Sequence, residues 1–326
     1  MEAAVELRNI TKKFGRITAV DNLDLAVPRG GLYGFIGPNG AGKTTAIRII
    51  MSILFPDSGH VSVLGRVSAL EAKNRIGYLP EERGVYRKMR VGAFLDYMAR
   101  LKGCTGPDLG KRIRTYLKRV GLDGTERQRC EELSKGMLQK IQFLAAIIHQ
   151  PDLLVLDEPF SGLDPVSRRL LRDLVLEENR RGATVLFSTH VMPQAEEICD
   201  HVVMIHQGRK VLDEALAIIQ SRYDPRTIEI DPLEANADVR PVGNLPGVER
   251  IDRSNSGYQI RLAAGTDPAQ AMRRILDTLK PARMQLSRPR LEDIFIQLVS
   301  SSTDAGEYEN RLRADLADAG LPEESA

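Results

Sequence analysis

Gly37-Pro38-Asn39-Gly40-Ala41-Gly42-Lys43-Thr44 is the stretch whose reading decides the fold. It fits the pattern GxxxxGK[ST], and its flanks carry as much information as its letters. Leu32 to Ile36 before it is a nearly continuous apolar run, which predicts a strand buried on both faces of a parallel sheet. Thr44 to Leu54 after it reads as a helix stopped by Pro56. A strand, a glycine turn and a helix start in this order make a phosphate cradle. Gly37, Gly40 and Gly42 let the backbone around Asn39 close on phosphate oxygens, and the amides and helix N-terminus supply positive potential. Lys43 is placed to reach the β and γ phosphates, with Thr45 next in the helix, and the Thr44 hydroxyl is placed to ligate Mg²⁺.

Around this core the chain alternates strands and helices. Val5 to Ile10 and then Leu23, Leu25 and Val27 alternate apolar with polar residues, as strands of an antiparallel sheet with one wet face do. Between about Val91 and Arg129 the pattern becomes helical, broken near Lys102 to Pro107; Ile113, Tyr116, Leu117 and Val120 share a face. Lys111, Arg112, Arg114, Lys118 and Arg119 fall largely on the others, either as a solvated face or as a surface for a partner or anionic lipid. Leu138 to Ile148 predicts a helix, Leu153 to Leu156 a buried strand, Ser167 to Arg180 a helix, Thr184 to Ser188 a strand, Pro193 to Cys199 a helix and His201 to Ile205 a strand. Such alternation means an α/β parallel sheet covered on both faces. Past a composition shift at Ser221 to Arg226, strands Val248 to Ile251, Tyr258 to Leu262 and Arg283 to Leu286 with helices Pro268 to Leu279 and Leu291 to Val299 predict a small α+β unit. The expected division is 1–218, 219–300 and an acidic, frayed tail 301–326.

Composition narrows the function classes. The 326 residues are 42% hydrophobic and 28% charged, too many for one ordinary domain and too balanced for a disordered chain. A net charge of +2 gives no global reason to expect nucleic acid. Cys104, Cys130 and Cys199 form no Cys-x-x-Cys pair, so neither a disulfide framework nor a zinc site is suggested and a reducing cytosol fits. Glu2, Glu6 and Arg8 stand where a signal peptide would be apolar, and no window approaches the roughly 20 apolar residues of a membrane span. His60, His149, His201 and His206 lack metal-ligand spacing and read as structural.

Further motifs follow the phosphate loop. Leu153-Leu154-Val155-Leu156-Asp157-Glu158 puts a carboxylate at the end of a buried strand, where Asp157 can hold the Mg²⁺ shell and Glu158 can polarise an attacking water. Leu133-Ser134-Lys135-Gly136-Met137 precedes a helix, and Ser134 reads either as an N-cap or as a second anion-binding helix start. Ser161-Gly162-Leu163-Asp164 and Ser188-Thr189-His190 come after.

In this order the motifs resemble the ATP-binding subunit of ABC transporters, over about Val5 to Leu212. The resemblance implies a P-loop NTPase with an antiparallel β subdomain and an inserted helical subdomain, followed here by the small C-terminal α+β domain. It implies ATP and Mg²⁺, and a head-to-tail dimer enclosing two ATP molecules, either two copies of this chain or this chain and a second cassette. By resemblance Phe14 stacks on adenine, though an ordinary core Phe fits the same letters, and His190 senses the γ-phosphate and orients the water. By the same route Ser134 and Gly136 bind the γ-phosphate of ATP held by the other protomer, and Asp164 lies in the loop that communicates across the dimer. Three positions depart from the family pattern: Glu81 for Gln, Lys135 for the second signature glycine and Met137 for Gln. Glu81 is either a metal ligand or a linker. Pro80-Glu81-Glu82-Arg83-Gly84, Leu-Ser-Lys-Gly and the terminal Leu291-Glu292-Asp293-Ile294-Phe295 look like the branch serving exporters of sodium-efflux and drug-resistance types. The expected function is an ATPase powering a separate integral membrane permease at the cytoplasmic face of the membrane. A soluble ABC ATPase acting on ribosomes or DNA, and a cassette that binds ATP without turnover, are the alternatives.

Overall fold

A computed structural model describes residues 2–82, 84–222, 227–234, 237–254, 257–263, 265–287 and 290–300. The expectation of a frayed tail over 301–326 concerns residues outside these. Two compact units divide the chain, one built on Met1–Ala215 and one on Leu216–Gln297.

The first unit opens with the hairpin β1 (Ala3–Phe14) and β2 (Ile17–Pro28), whose alternating pattern buries Val5, Leu7, Leu23, Leu25 and Val27. Next come β3 (Leu32–Ile36), helix α1 (Lys43–Ile50), β4 (Ser58–Val63) and β5 (Ile76–Leu79). Helices α2 (Val91–Leu101), α3 (Leu109–Arg119) and α4 (Lys135–Ile147) form the inserted helical part. The chain then alternates β6 (Leu153–Asp157), α5 (Pro165–Arg180), β7 (Thr184–Thr189), α6 (Met192–Ile198), β8 (His201–His206) and β9 (Arg209–Ala215). β2, β1 and β4 make a three-stranded antiparallel sheet. The other six strands form a mixed sheet in the order β5-β6-β7-β3-β8-β9, parallel except for β9.

The parallel register positions the site. Ile36 lies opposite Thr189, and Asp157 opposite Ser188, so the carboxyl ends of β3, β6 and β7 stop side by side. In open parallel sheets this crest is where ligands bind. Leu153, Leu154, Val155 and Leu156 are fully buried, as strands covered on both faces require.

Local signals set the helix limits. α1 ends at Ile50, short of the expected Leu54, because Ser52 turns left-handed at φ 55° and the Ile53 and Leu54 amides donate back to Arg48 O. α4 begins at Lys135 rather than Leu138, since Ser134 caps it by accepting the Met137 amide at 3.3 Å. On α3, Lys111, Arg114 and Lys118 are exposed, whereas Arg112 donates to Ile148 O at 3.1 Å and Arg119 pairs with Glu177.

The second unit contains α7 (Leu216–Arg222), β10 (Thr227–Pro232), α8 (Arg240–Gly243), β11 (Val248–Ser254), β12 (Gly257–Leu262), α9 (Pro268–Thr278) and β13 (Pro281–Ser287), and then α10 (Leu291–Ser300) as far as Gln297. Its strands form an antiparallel sheet ordered β11-β12-β10-β13 over a core of Ile228, Ile230, Val242, Ile260, Leu262 and Ile275. β4, β9 and β10 lie outside the expected segments. β10 is an interior strand, yet it has only two large apolar residues, Ile228 and Ile230, followed closely by Pro232. Among the described residues no helix is long and apolar enough to cross a membrane.

Gly77 lets β5 run against α4: a Cβ there would lie 2.2 Å from Ala146 O. Gly77→Ala is expected to cost about 1–3 kcal/mol by forcing α4 outward. Thermal melting checks this, the expected result being a midpoint lower by several degrees.

Candidate functional site

A cleft of about 490 Å³ opens at the strand ends. Ile17, Thr18 and Ala19 line one side, Asn39 to Thr45 the floor, and Glu81, Glu158 and Gln207 the rest. Gly42 sits at the start of α1 with φ 107°, and a Cβ there would fall 2.2 Å from Ala19 O, so only glycine closes the loop at this point. The loop is also held from outside, since Gly208 N donates to Ala41 O at 2.9 Å and Asp21 N to Gly208 O at 2.9 Å.

Lys43 is buried, and its ammonium donates to Gly37 O at 2.7 Å and Pro38 O at 3.1 Å. Three N–H bonds on the ammonium leave one for an anion in the cleft. Burial pulls the Lys43 pKa down, while the nearby charges of Glu158, Asp157 and Glu81 pull it back.

Asp157 is 1% exposed. Its Oδ1 accepts the Ser188 hydroxyl at 2.5 Å and lies 3.3 Å from Thr44 Oγ1. Thr44 Oγ1 is also 3.4 Å from Glu81 Oε2, so one hydroxyl proton is shared between two carboxylates. Asp157 Oδ2 is buried and has no hydrogen-bond partner among the described residues. Burial pushes the Asp157 carboxyl above its ordinary value, and the bonds from Ser188 and Thr44 oppose that. A hydroxyl and two carboxylates converging, one with an orphaned oxygen, are the hard-oxygen donor set of a Mg²⁺ held jointly with phosphate. The residues fit that ion.

Glu158 is buried and adopts φ 48°, a left-handed conformation costing about 1–3 kcal/mol for a non-glycine residue. Its amide donates to Ser188 Oγ at 3.2 Å. Its Oε1 accepts the His190 amide at 3.0 Å and lies 2.7 Å from His190 Nδ1. With Glu158 ionised, Nδ1 carries the proton and Nε2 is left as the acceptor.

The structure thus brings Gly37, Asn39, Gly40, Gly42, Lys43, Thr44, Thr45, Glu81, Asp157, Glu158 and His190 together. Others stand apart. Phe14, paired with Ile17 at the hairpin tip, is 50% exposed and 5.7 Å from the Lys12 ammonium, which excludes the core-Phe alternative. Ser134 and Gly136 open α4 outside the cleft wall, and nothing lies within 4 Å of a Cβ added at Gly136. Asp164 caps α5 by accepting the Ser167 amide at 2.9 Å, and the Ser167 bonds hold its carboxyl below the ordinary range. Sequence reasoning gave no role to Ile17, Thr18, Ala19, Gln207 or Ser188; for Ser188 the signal was a hydroxyl one residue before Thr189-His190 at a strand end. Among the other histidines, His149 is buried with Nε2 3.2 Å from Ile76 O, and burial lowers its pKa to about 4. His201 stacks on Tyr33 and meets Asp213 at 2.7 Å.

The sequence profile of the ABC transporter family matches residues 20–161. An ABC transporter ATP-binding protein of Bacillus subtilis, YhaQ, itself uncharacterized, is 39% identical over 294 residues, covering 90% of this chain and 97% of that one. The chain belongs to the ABC transporter ATP-binding proteins. This ABC subunit also matches, over residues 216–299, the C-terminal domain of DrrA1-3-like ATP-binding proteins. The Nod factor export ATP-binding protein I of Burkholderia orbicola is 31% identical to it over 307 residues, 91% of this chain and 97% of that one. A solved ATP-binding subunit of an ABC transporter superposes with TM-score 0.63 at 29% identity, covering 68% of this chain and 93% of that one. The fold is therefore the P-loop ABC ATPase with a helical subdomain and a small C-terminal α+β domain, and the ABC subunit is one that binds and hydrolyses ATP.

The raised Asp157 carboxyl has a testable sign. Its proton leaves the unfolded chain at lower pH than the folded one, so this group takes stability from the fold as pH rises above the ordinary value of about 4. Asp157→Asn is expected to raise the melting temperature of the nucleotide-free ABC subunit relative to wild type, with the gap widening as pH rises from about 4 toward the raised pKa of the folded chain. A gap that narrows across that range would contradict the assignment.

Proposed function

We propose that this chain is the ATPase of an exporter, acting at the cytoplasmic face of the cell membrane on a separate integral membrane permease. The unit ending near residue 218 is the cassette, and 219–300 is an accessory domain whose role is a contact between protomers. The observation that carries the reading is the convergence of Lys43, Thr44, Asp157, Glu158 and His190 on one cleft. The exporter assignment draws on the similarity to the Nod factor export subunit and on the DrrA1-3-like C-terminal match; sodium-efflux and drug-export systems are the classes proposed from the motifs.

In this reading the glycine loop and Lys43 bind the β and γ phosphates, with Thr45 beside them, and Phe14 stacks on adenine. Thr44, Asp157 and Glu81 hold Mg²⁺, which neutralises charge on the phosphates when bound. Glu158 accepts a proton from water as its oxygen attacks the γ-phosphorus and the bond to ADP breaks. His190, steered by Glu158 through Nδ1, aims its accepting Nε2 at the attacking water beside the γ-phosphate. Ser134 and Gly136, standing outside their own cleft, serve the ATP of a second cassette, and Asp164 lies on the loop between the two sites. ATP thereby closes a dimer and hydrolysis reopens it. An apolar groove of about 250 Å³ lined by Met51, Tyr78, Gly84, Phe94 and Met98 suits a permease element.

Glu158→Gln is expected to lower kcat by about 100-fold or more while leaving ATP binding intact, so that ATP-trapped dimers accumulate. Size-exclusion chromatography with MgATP and steady-state phosphate release check both. A wild-type chain that hydrolyses no ATP, or a variant as active as wild type, would sink the reading.

A further inference from the structure

Gln139 lies in α4, just over one turn past the Ser134 cap, and is 1% exposed. It is the first buried residue of that helix, and it is polar. A buried primary amide is costly unless its bonds are made. Its Nε2 donates to Pro159 O at 3.0 Å and to Ser161 O at 3.2 Å, the two carbonyls that flank Phe160 in the turn after Glu158. Its Oε1 has no partner among the described residues. The amide is therefore oriented by its donors alone, because a flipped amide would set oxygen against two carbonyl oxygens.

The turn it grips begins at a strained residue. Glu158 has a left-handed backbone, and such strain persists only where the surroundings over-determine it. On the strand side the sheet register and the Ser188 hydroxyl fix the Glu158 amide. On the other side Pro159 has no N–H to give, and two of the turn's own bonds are long: Ser161 N to Glu158 O at 3.3 Å and Leu163 N to Phe160 O at 3.4 Å. Gln139 adds two donated bonds to this stretch from a buried position near the start of α4.

We propose that Gln139 is a positioning residue for ATP hydrolysis: it holds the Glu158 turn from α4, so that the carboxylate stays on His190. This rests on the proposed role of Glu158. It also ties the helix opened by Ser134 and Gly136 to the hydrolytic residue of the same chain, so any displacement of that helix is felt at Glu158.

Two variants test it. Gln139→Met keeps the length and loses both donors; Gln139→Glu keeps the shape and turns a carboxylate toward the two carbonyls. The expected order of kcat is wild type, then Met lower by about 10- to 100-fold, then Glu lower still, with KM for ATP within about twofold throughout. Amide hydrogen exchange of the nucleotide-free protein reads the turn without any turnover. Residues 160–163 are expected to exchange at least about tenfold faster in Gln139→Met, with β6 unchanged. Equal kcat in Gln139→Met, a KM that rises in step with the fall, a Glu variant more active than the Met variant, or unaltered exchange at 160–163 would each overturn the proposal. Absence of hydrolysis by wild type would instead strike the proposed function, and the exchange result would still decide whether Gln139 holds the turn.

Discussion

A carboxylate buried at the end of an apolar strand is the constraint on which the rest of the site depends. Leu153 to Leu156 carry Asp157 to the sheet crest with no exposed neighbour on the strand, so its charge meets protein groups instead of bulk water. Such a charge is tolerated only with hydrogen bonds and nearby positive charge. Ser188 comes from the adjacent strand by parallel register, Thr44 from the first turn of α1, and the Lys43 ammonium stands close enough to feel the charge. Together they compensate one oxygen and leave Oδ2 for a cation.

The same crest stores backbone strain. Glu158 is left-handed next to Asp157, and the phosphate loop is closed by glycines pressed against other backbones. Both arrangements are maintained from outside their motifs. The turn joining β8 to β9 and the start of β2 clamp the loop, while His190, Ser188 and Gln139 hold Glu158. Function in such a site is a property of neighbouring elements in two places at once, which is why single motif residues understate it.

Much of this was legible in the sequence, and the physical reason differs from element to element. The phosphate loop announces itself because its glycines answer to backbone needs that no other residue meets, and β3 and β6 because burial on both faces demands uninterrupted apolar letters. Asp157 and Glu158 followed from their place at a strand end. β10 was silent because a short strand with one wet face needs only Ile228 and Ile230 to pay its share of burial, and Pro232 reads as a break. The wall of Ile17, Thr18 and Ala19, the Gln207 turn and the Gln139 clamp arise from long-range packing, which spacing along the chain does not encode. Ser134, Gly136 and Asp164 were found as motifs, and the structure places them away from the cleft their own chain builds.

On the proposed function, this cleft hydrolyses ATP only when a second cassette completes it. Phosphate release per chain, measured across a wide range of protein concentration with MgATP saturating, tests it most directly. Specific activity is expected to rise with chain concentration and then saturate, and to vanish when EDTA removes the metal. Specific activity independent of concentration down to the lowest dilution, or turnover that persists without divalent metal, would contradict it.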